Sequence, residues 1–226
     1  MTSRRSKAGH FVVLEGLDGA GTTTQCDRIA AALTAQGIPV VTTREPSDGP
    51  IGQQLRLALT GRLGLPHRRG ALTEDTLALL FAADRMDHLA AVIEPAVERG
   101  AVVLCDRYLL SSLAYQGTAL PMAWVETING RARKPDLTLF VEVDAKTASR
   151  RRAARGGEVE HFEADERQVR IARQYLSAIR RRSSRERIVR IDGTRSVEQV
   201  TEEAVEILAR ILGIGRARRR VGGAGA

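Results

Sequence analysis

The chain has few of the residues that mark secreted, zinc-binding or membrane proteins. Its 226 residues include only two cysteines, Cys26 and Cys105, without metal-ligand spacing, so the sequence predicts neither a disulfide framework nor a zinc site. No apolar run is long enough to cross a bilayer, and the first nine residues lack the apolar core of a signal peptide. No internal repeat is present. These absences predict a reduced protein of the cytoplasm without a membrane partner.

Lysine is also scarce, although the chain is basic. Lysine and arginine together number 35 against 27 acidic residues, a net charge of +8, yet only Lys7, Lys134 and Lys146 are lysines. The arginine excess suits bidentate phosphate contacts, although a high-GC coding bias would produce it as well. Part of the excess lies in residues 214–226, which we expect to be a disordered, solvated basic tail with at most weak contact to nucleic acid.

Strand and helix patterns alternate along the chain and predict one α/β domain. We place this domain at residues 11–213, after a basic extension at 1–10, with a short lid at about 150–163. Five apolar or β-branched runs predict strands: Phe11–Leu14, Pro39–Thr43, Ala101–Cys105, Leu137–Val143 and Ile188–Ile191. The alternation predicts a parallel sheet with helices on both faces and ligands at the carboxyl ends of the strands.

Helix signals lie between these strands. One helix is predicted from about Thr22 and another over residues 51–59. A long helical segment is predicted from Thr73 to about Arg99, with Thr73 and Thr76 able to cap its start and Pro95 expected to break it near its end.

The first strand leads into a glycine-rich segment that is typical of a phosphate-binding loop. Backbone N–H groups of such a loop converge on an anion, and the following helix N-terminus adds about half a positive charge. In the pattern G-x-x-x-x-G-K-[ST], Gly16 and Gly21 fill the glycine positions and Thr23 the Mg²⁺-coordinating hydroxyl, but Thr22 replaces the lysine that would reach the phosphates. A glycine-rich turn by itself can also be a tight connection between strand and helix.

Charged residues follow the second and third strands. Arg44 and Arg107 can clamp an acceptor phosphate through their guanidinium forks, and the alternative is a pair of surface ion pairs with Glu45 and Asp106. Asp106 can orient a Mg²⁺-bound water or an attacking oxygen, or it can be a helix N-cap.

Two further segments suit a nucleoside ligand. Phe81 and Arg85 lie four residues apart on one helical face, where the ring can stack on a base and the guanidinium can donate to a carbonyl oxygen. A lone phenylalanine on a helix is usually a core residue, and His88 on the same helix has no assigned role. Polar edges of a sugar or base can be read by side chains after the third strand, namely Ser112, Tyr115 and Gln116.

Five segments in this order resemble the thymidylate kinase family. They are Glu15–Gly21, Thr43–Pro46, Leu79–Arg85, Asp106–Gly117 and Pro135–Phe140. The resemblance spans residues 11 to about 195 and is far more specific than any one motif. It implies a P-loop NTPase-type three-layer sandwich and a transferase that phosphorylates dTMP to dTDP in dTTP biosynthesis, with ATP as donor, Mg²⁺ as cofactor and commonly a homodimeric assembly.

The resemblance also implies roles for individual residues. The implied ATP contacts are Gly16, Leu17, Asp18, Gly19, Ala20, Gly21, Thr22, Thr23, Arg150 and Arg195. The implied dTMP contacts are Asp18, Arg44, Phe81, Arg85, Arg107, Ser112, Tyr115 and Gln116. Asp18 would contact the sugar 3′-hydroxyl, and Tyr115 would exclude a ribose 2′-hydroxyl. Thr23 and Asp106 would help place Mg²⁺.

The implied catalytic group consists of Arg107, Arg155, Asp106 and Asp18. Family members carry a catalytic arginine either in the loop or in the lid. Here the loop has none, whereas the lid region offers Arg150, Arg151, Arg152 and Arg155, of which Arg155 is the first choice.

The chain departs from the family pattern at two places. The segment Arg44–Pro50 lacks the glycine pair usual after Glu-Pro, which is a mild change, whereas Thr22 removes a phosphate-binding cation. We expect a lid arginine or Arg107 to supply the missing charge.

The missing lysine also leaves room for a different function. The chain could be a non-catalytic nucleotide-binding module that has lost phosphoryl transfer, or it could bind nucleic acid through its basic tail. Within the kinases, it could act on another deoxynucleotide. Arg85 favours thymine over cytosine, because a guanidinium donates hydrogen bonds but cannot accept them from an amino group.

Overall fold

The computed structural model describes residues 9–63, 72–154 and 162–214. Five strands lie within these ranges: β1 (His10–Gly16), β2 (Val40–Arg44), β3 (Val102–Asp106), β4 (Leu137–Glu142) and β5 (Ile188–Asp192). They pair in parallel in the order β2-β3-β1-β4-β5, which confirms the predicted five-stranded parallel sheet.

The strand register brings polar chain segments together at one edge of the sheet. Arg44 at the end of β2 is the register partner of Asp106 at the end of β3, and Leu14 of β1 is the partner of the same Asp106. The glycine loop that begins at Gly16 and the segment that begins at Arg107 therefore leave the sheet side by side. This is the edge at which open α/β sheets bind ligands.

Helices connect the strands on both sides of the sheet. The α-helices in the described ranges are α1 (Thr22–Thr34), α2 (Pro50–Leu59), α3 (Glu74–His88), α4 (Glu94–Glu98), α5 (Leu109–Tyr115), α6 (Met122–Ile128), α7 (Ala145–Ala153), α8 (Phe162–Arg182) and α9 (Val197–Leu212). The predicted helices from Thr22 and over residues 51–59 correspond to α1 and α2.

The long helical segment predicted after Thr73 is one continuous structure with an irregular centre. The predicted cap is confirmed, because the Thr73 hydroxyl accepts a hydrogen bond from the Thr76 N–H at 3.3 Å. The break predicted at Pro95 is wrong, because a π turn at Leu89–Ile93 joins α3 to α4 and the helix continues to Glu98. Pro95 lies in the first turn of α4, directly after this π turn, where a missing N–H is tolerated.

Both faces of the sheet are covered by apolar side chains. Alternate residues of a strand point to opposite faces, so Phe11 and Val13 join one buried cluster while Val12 and Leu14 join the other. The first cluster includes side chains from α5 and α8, and the second includes side chains from α1 and α9. This arrangement explains why β1 is apolar without alternation. In the described part of the chain, no helix combines the length and apolar character needed to cross a bilayer.

The predicted lid at residues 150–163 overlaps the end of α7 and the start of α8. Asp144 caps α7 by accepting from the Thr147 N–H at 2.8 Å, and residues 150–152 lie near the end of this helix. Residues 155–161, which include the first-choice Arg155, and the tail from residue 215 lie outside the described ranges.

Candidate active site

The glycine loop between β1 and α1 has the geometry of an anion-binding turn. Gly19 and Gly21 adopt left-handed backbone angles, with φ of 93° and 96°. A Cβ atom at Gly19 would lie 2.4 Å from the Ala148 carbonyl oxygen, and one at Gly16 would lie 2.8 Å from the Val141 carbonyl oxygen. The first turn of α1 has no side-chain cap and no acidic residue. Its backbone N–H groups are therefore available to a phosphate.

Thr23 and Asp106, the predicted Mg²⁺ pair, lie in contact. The Thr23 hydroxyl donates a hydrogen bond to Asp106 Oδ2, while Asp106 Oδ1 is buried and has no hydrogen-bond partner among the described residues. A hydroxyl beside a carboxylate oxygen without a protein donor is a donor set that suits Mg²⁺, so these residues fit the ion. The alternative role of Asp106 as a helix N-cap does not hold, because the N-cap of α5 is Tyr108.

Arg107 reaches from the end of β3 to the glycine loop. Its backbone is left-handed, with φ of 71°, a conformation that costs a non-glycine residue roughly 1–2 kcal/mol and that often occurs at functional sites. Its Nη2 donates to the Asp18 carboxylate at 2.7 Å, and its Nη1 donates to the Gly16 carbonyl oxygen at 3.0 Å. The ion-pair partner of Arg107 is thus Asp18 rather than Asp106.

A buried carboxylate that the sequence analysis did not single out supports this arrangement. Glu15 accepts hydrogen bonds from the Tyr108 N–H at 3.0 Å, from the Ser111 N–H at 3.1 Å and hydroxyl at 2.6 Å, and from the Tyr175 hydroxyl at 3.2 Å. Burial raises the pKa of Glu15, while the Ser111 hydrogen bonds and the charge of Arg107 lower it in part. An acid inside an apolar strand is a sequence signal for such a site. Tyr175, on the distant α8, offers no local signal.

A cavity of about 310 Å³ lies beside Arg107 and contains seven of the eight predicted dTMP residues. These seven are Asp18, Phe81, Arg85, Arg107, Ser112, Tyr115 and Gln116. The rest of the lining consists of Glu45, Pro46, Leu59, Glu74, Leu77, Tyr108, Ser111 and Arg167. Phe81 is half-buried, as expected of a ring that faces a cavity rather than the core. The lining combines apolar surface with a few polar groups, which is typical of a small-molecule site.

Arg85 is the most deeply buried charge of this cavity, with 1% of its surface exposed. Its Nη2 donates to Glu45 at 2.6 Å and to Ser112 at 3.0 Å, and its Nη1 donates to the Asn129 side chain. A guanidinium has five N–H donors, of which these bonds use three, and Nε has no partner among the described residues. Arg85 therefore retains donors for a ligand although it is ion-paired.

Two more residues of the cavity lining, Gln116 and Tyr115, have polar side-chain groups at the cavity. Gln116 is buried, and its Oε1 has no hydrogen-bond partner in the described part of the chain. Burial raises the pKa of Tyr115 above its ordinary value, although Arg107 lowers it in part, so the phenol is protonated at neutral pH. Tyr115 accepts a 3.4 Å hydrogen bond from Arg107, and its hydroxyl also hydrogen-bonds to the Asp18 carboxylate.

Arg44, the eighth predicted dTMP residue, does not line the cavity. Its guanidinium is more than half exposed and forms an ion pair with Asp48 at 3.1 Å. The predicted alternative, an ion pair with Glu45, is also not formed, because Glu45 turns inward to Arg85. Arg44 ends β2 and Glu45 follows it, and the sequence alone did not indicate which of the two side chains points inward.

A second cavity, of about 300 Å³, lies on the other side of the glycine loop. Its lining includes Ala20 and Gly21 of the loop, Gly193 and Arg195 after β5, and Arg151 of α7. Arg195, a predicted ATP contact, also pairs with Glu203. The loop thus separates two cavities, one beside Arg107 and one beside Arg195.

Two arginines of α7 contact the glycine loop, which has no lysine of its own. Arg152 Nη1 donates to the Asp18 carbonyl oxygen at 2.8 Å, and Arg151 Nη1 donates to the Ala20 carbonyl oxygen at 3.4 Å. Arg150, the predicted ATP contact, is instead exposed and donates to Thr147 of its own helix at 3.1 Å. Successive helical residues are rotated by about 100°, so only part of an arginine run can face the loop.

Comparison with known proteins agrees with this geometry. The model of the thymidylate kinase family matches residues 14–204. A probable thymidylate kinase of Pyrococcus abyssi is 40% identical over 201 residues, covering 88% of this chain and 96% of the relative. Thymidylate kinases of Ruegeria pomeroyi and Symbiobacterium thermophilum are 40% and 36% identical, covering 90% and 95% of this chain and 96% and 97% of the relatives. The chain, with its phosphate-binding loop between two cavities, belongs to the thymidylate kinase family.

Proposed function

We propose that the protein transfers the γ-phosphoryl group of ATP to dTMP, forming dTDP for dTTP synthesis. The observation that carries the proposal is the position of Arg107, whose guanidinium contacts Gly16 and Asp18 of the phosphate loop and also lines the adjacent cavity. A cation at this junction can hold donor and acceptor phosphates together. Such positioning is most of what phosphoryl transfer requires of a protein.

Each part of the site has a distinct task in this proposal. The loop N–H groups hold the donor phosphates, and the cavity beside Arg195 receives the rest of ATP. Thr23 and Asp106 would hold Mg²⁺, which when bound neutralises phosphate charge. Arg107 binds the acceptor phosphate, and Asp18 fixes the Arg107 fork while contacting the sugar.

The base is recognised in the cavity beside Arg107. Phe81 provides an aromatic plane for stacking, and Arg85 retains N–H donors that suit a carbonyl oxygen. Cytosine presents an amino group instead, which would face these donors without a hydrogen bond. To Tyr115, which contacts Arg107 and the ring of Tyr175, we assign the task of limiting the space beside the sugar.

The α7 arginines support the hypothesis that another cation replaces the loop lysine. Thr22 is buried at the start of α1 and carries no charge. Arg152 and Arg151 contact carbonyl oxygens of the same loop and would interact with phosphates bound there. We propose Arg152 for this task, together with Arg155 as the first choice from the sequence.

The non-catalytic alternative finds no support in the comparisons, since the relatives are named as kinases. A location in the cytoplasm is also part of the proposal. It agrees with Cys26 and Cys105, which are both buried and unpaired thiols.

Turnover by the purified protein tests the proposed reaction. With ATP, Mg²⁺ and dTMP, we expect ADP release at a kcat/KM at least about 10²-fold above that with dCMP, because buried donors at Arg85 would face an amino group in dCMP. dUMP has the same base carbonyl groups as dTMP but lacks the methyl group of thymine, so its kcat/KM shows what the methyl group contributes. Binding of dTMP without any turnover would contradict the proposed transfer and favour the nucleotide-binding module.

We also propose that the protein is a homodimer through α3 and the π turn. Four exposed apolar residues follow one helical face at spacings of four, three and four residues: Leu79, Ala83, Met86 and Ala90. Leu79 is 50% exposed and Met86 is 40% exposed, although both are large apolar side chains. A second copy of this chain would bury the stripe by placing two such helices face to face.

Substitution of Met86 by arginine tests this interface. We expect the variant to elute and scatter light as a monomer, because a charge at the centre of an apolar interface would be desolvated without a partner. Val169→Arg is the matched control, since Val169 is a 39% exposed apolar residue on α8 and is not part of the stripe. A Met86→Arg protein that stays dimeric, or a wild-type protein that is monomeric at micromolar concentration, would contradict the proposed interface.

A further inference from the structure

A buried chain of polar side chains ends at Arg85, and two of its members, Thr43 and His88, have no task in the proposed function. The Thr43 hydroxyl lies 2.6 Å from His88 Nε2, His88 Nδ1 lies 3.4 Å from Glu45 Oε1, and Glu45 Oε2 accepts from Arg85 Nη2 at 2.6 Å. His88 and Arg85 are each 1% exposed, and Glu45 is 5% exposed. The chain connects the end of β2 with the end of α3.

The donor and acceptor roles in this chain follow from its chemistry. An ionised carboxylate only accepts hydrogen bonds, so His88 Nδ1 carries the proton that faces Glu45. The Thr43 hydroxyl, which can donate or accept, is the hydrogen-bond partner of Nε2. Glu45 therefore accepts from His88 on one oxygen and from Arg85 on the other.

His88 is the hydrogen-bond partner of the Glu45 carboxylate oxygen that Arg85 does not contact. A buried ion pair is stable only when the remaining lone pairs of the carboxylate are also hydrogen-bonded. Arg85 occupies Oε2 of Glu45, and His88 is the partner of Oε1. Without His88, the carboxylate would have one unpaired buried oxygen and freedom to rotate, and Arg85 would lose its fixed partner.

Only two members of the chain reach the ligand cavity. Glu45 and Arg85 line it, whereas Thr43 and His88 do not. Any effect of His88 on a ligand in this cavity therefore passes through Glu45 and Arg85. The Glu45 backbone N–H also donates to the Asp106 carbonyl oxygen at 3.0 Å, which holds the carboxylate at a fixed distance from the sheet edge.

We propose that His88 is a positioning residue for base recognition: together with Thr43 it fixes Glu45 and thereby orients the Arg85 guanidinium toward a pyrimidine carbonyl. The inference rests on the proposed function, because it concerns the same cavity. It assigns to His88 the discrimination between nucleoside monophosphates with a carbonyl and those with an amino group on the base. The donor phosphates, which lie across the loop, are outside its influence.

Direct binding and kinetics of His88 variants test the inference. We expect His88→Leu to weaken dTMP binding in calorimetry about 10- to 50-fold, the range expected for a misplaced charged hydrogen bond, with a similar rise in KM for dTMP. Discrimination against dCMP should fall by the same factor, while kcat changes less than about threefold and ADP affinity stays unchanged. His88→Asn, whose amide can donate near the position of Nδ1, should recover most of the affinity.

A second pair of variants keeps the test valid if His88→Leu fails to fold. Thr43→Val removes only the hydroxyl that is hydrogen-bonded to His88, and we expect a two- to fivefold loss of dTMP affinity, about the contribution of one hydrogen bond. Thr42→Val is the matched control on the same strand, because Thr42 is exposed and makes no contact with His88. This control should bind dTMP like the wild type.

The possible failures are distinguishable. Wild-type protein that binds neither dTMP nor dCMP would overturn the proposed function. Wild-type protein that binds dTMP selectively, with affinity and selectivity unchanged in folded His88→Leu and in Thr43→Val, would overturn the inference alone. Weaker binding of dTMP and dCMP by the same factor would also overturn it, because a merely structural role would not change selectivity.

Discussion

Replacing Arg107 with methionine should lower kcat/KM for dTMP phosphorylation by at least about 10³-fold, which corresponds to about 4 kcal/mol of transition-state stabilisation. The side chain contacts Gly16 of the donor loop and Asp18 of the acceptor cavity at the same time. Its removal eliminates positive charge at the point where charge develops during transfer. Methionine retains the length of the side chain but provides neither charge nor donors.

The Arg107→Lys variant separates charge from fork geometry. Lysine retains the positive charge but has a single ammonium group, so it cannot contact Gly16 and Asp18 in the same way. We therefore expect kcat/KM of Arg107→Lys to be about 10- to 10²-fold below wild type, which is a smaller loss than in Arg107→Met. Steady-state kinetics and ADP binding would be measured together, since the donor side should bind ADP within about threefold of wild type.

The left-handed backbone at residue 107 requires its own control. Arg107→Gly removes the side chain and also relieves the positive φ of 71°. If Arg107→Gly folds at least as stably as wild type and has as little activity as Arg107→Met, the loss belongs to the side chain. Activity of Arg107→Met within about tenfold of wild type would refute the role of this residue.

Variants at Thr22 and Arg152 should show which side chain supplies the positive charge that the loop lysine would provide. We expect Arg152→Ala to lower kcat about 10²- to 10³-fold, the usual cost of removing one transition-state cation. Thr22→Ala should change kcat less than about threefold, because Thr22 has no charge to lose. In the double variant Thr22→Lys with Arg152→Ala, the new ammonium group should raise kcat at least about tenfold above that of Arg152→Ala alone.

The matched control lies on the same helix. Lys146→Ala also removes a cation from α7, but Lys146 is exposed near the start of the helix, and we expect no change in kcat. Arg155→Ala in the same assay tests the first choice from the sequence. If Thr22→Ala abolishes activity, or if Arg155→Ala does so while Arg152→Ala has no effect, the assignment of the cation to Arg152 fails.

Much of the fold was predictable because its signals are local. All five strands are short apolar or β-branched runs, and each was predicted within two residues of its observed ends. The glycine loop was predictable because left-handed angles at Gly19 and Gly21 require glycine whatever surrounds them. The register of parallel strands then brought Arg107 and the loop to one edge, as expected for an α/β sheet.

Side-chain directions were less predictable. Arg44 and Glu45 are adjacent in sequence, yet Arg44 points outward to Asp48 and Glu45 points inward to Arg85. Residues 150–152 form a continuous basic run, and only the last two contact the loop. Pro95 was expected to end a helix, but the preceding π turn, whose residues give no signal of their own, lets the helix continue.

The sequence by itself determined the parallel sheet, the phosphate-binding loop, the missing lysine and the family, since each depends on the order of residues within a short segment. Only the tertiary structure decided which groups surround Arg107 and Arg85. Glu15 meets Tyr175 across 160 positions of the chain, and Thr43 meets His88 across 45. Such contacts are set by the packing of α8 and α3 against the sheet, and a buried hydrogen bond stabilises only the side chains that this packing brings within about 3 Å of each other.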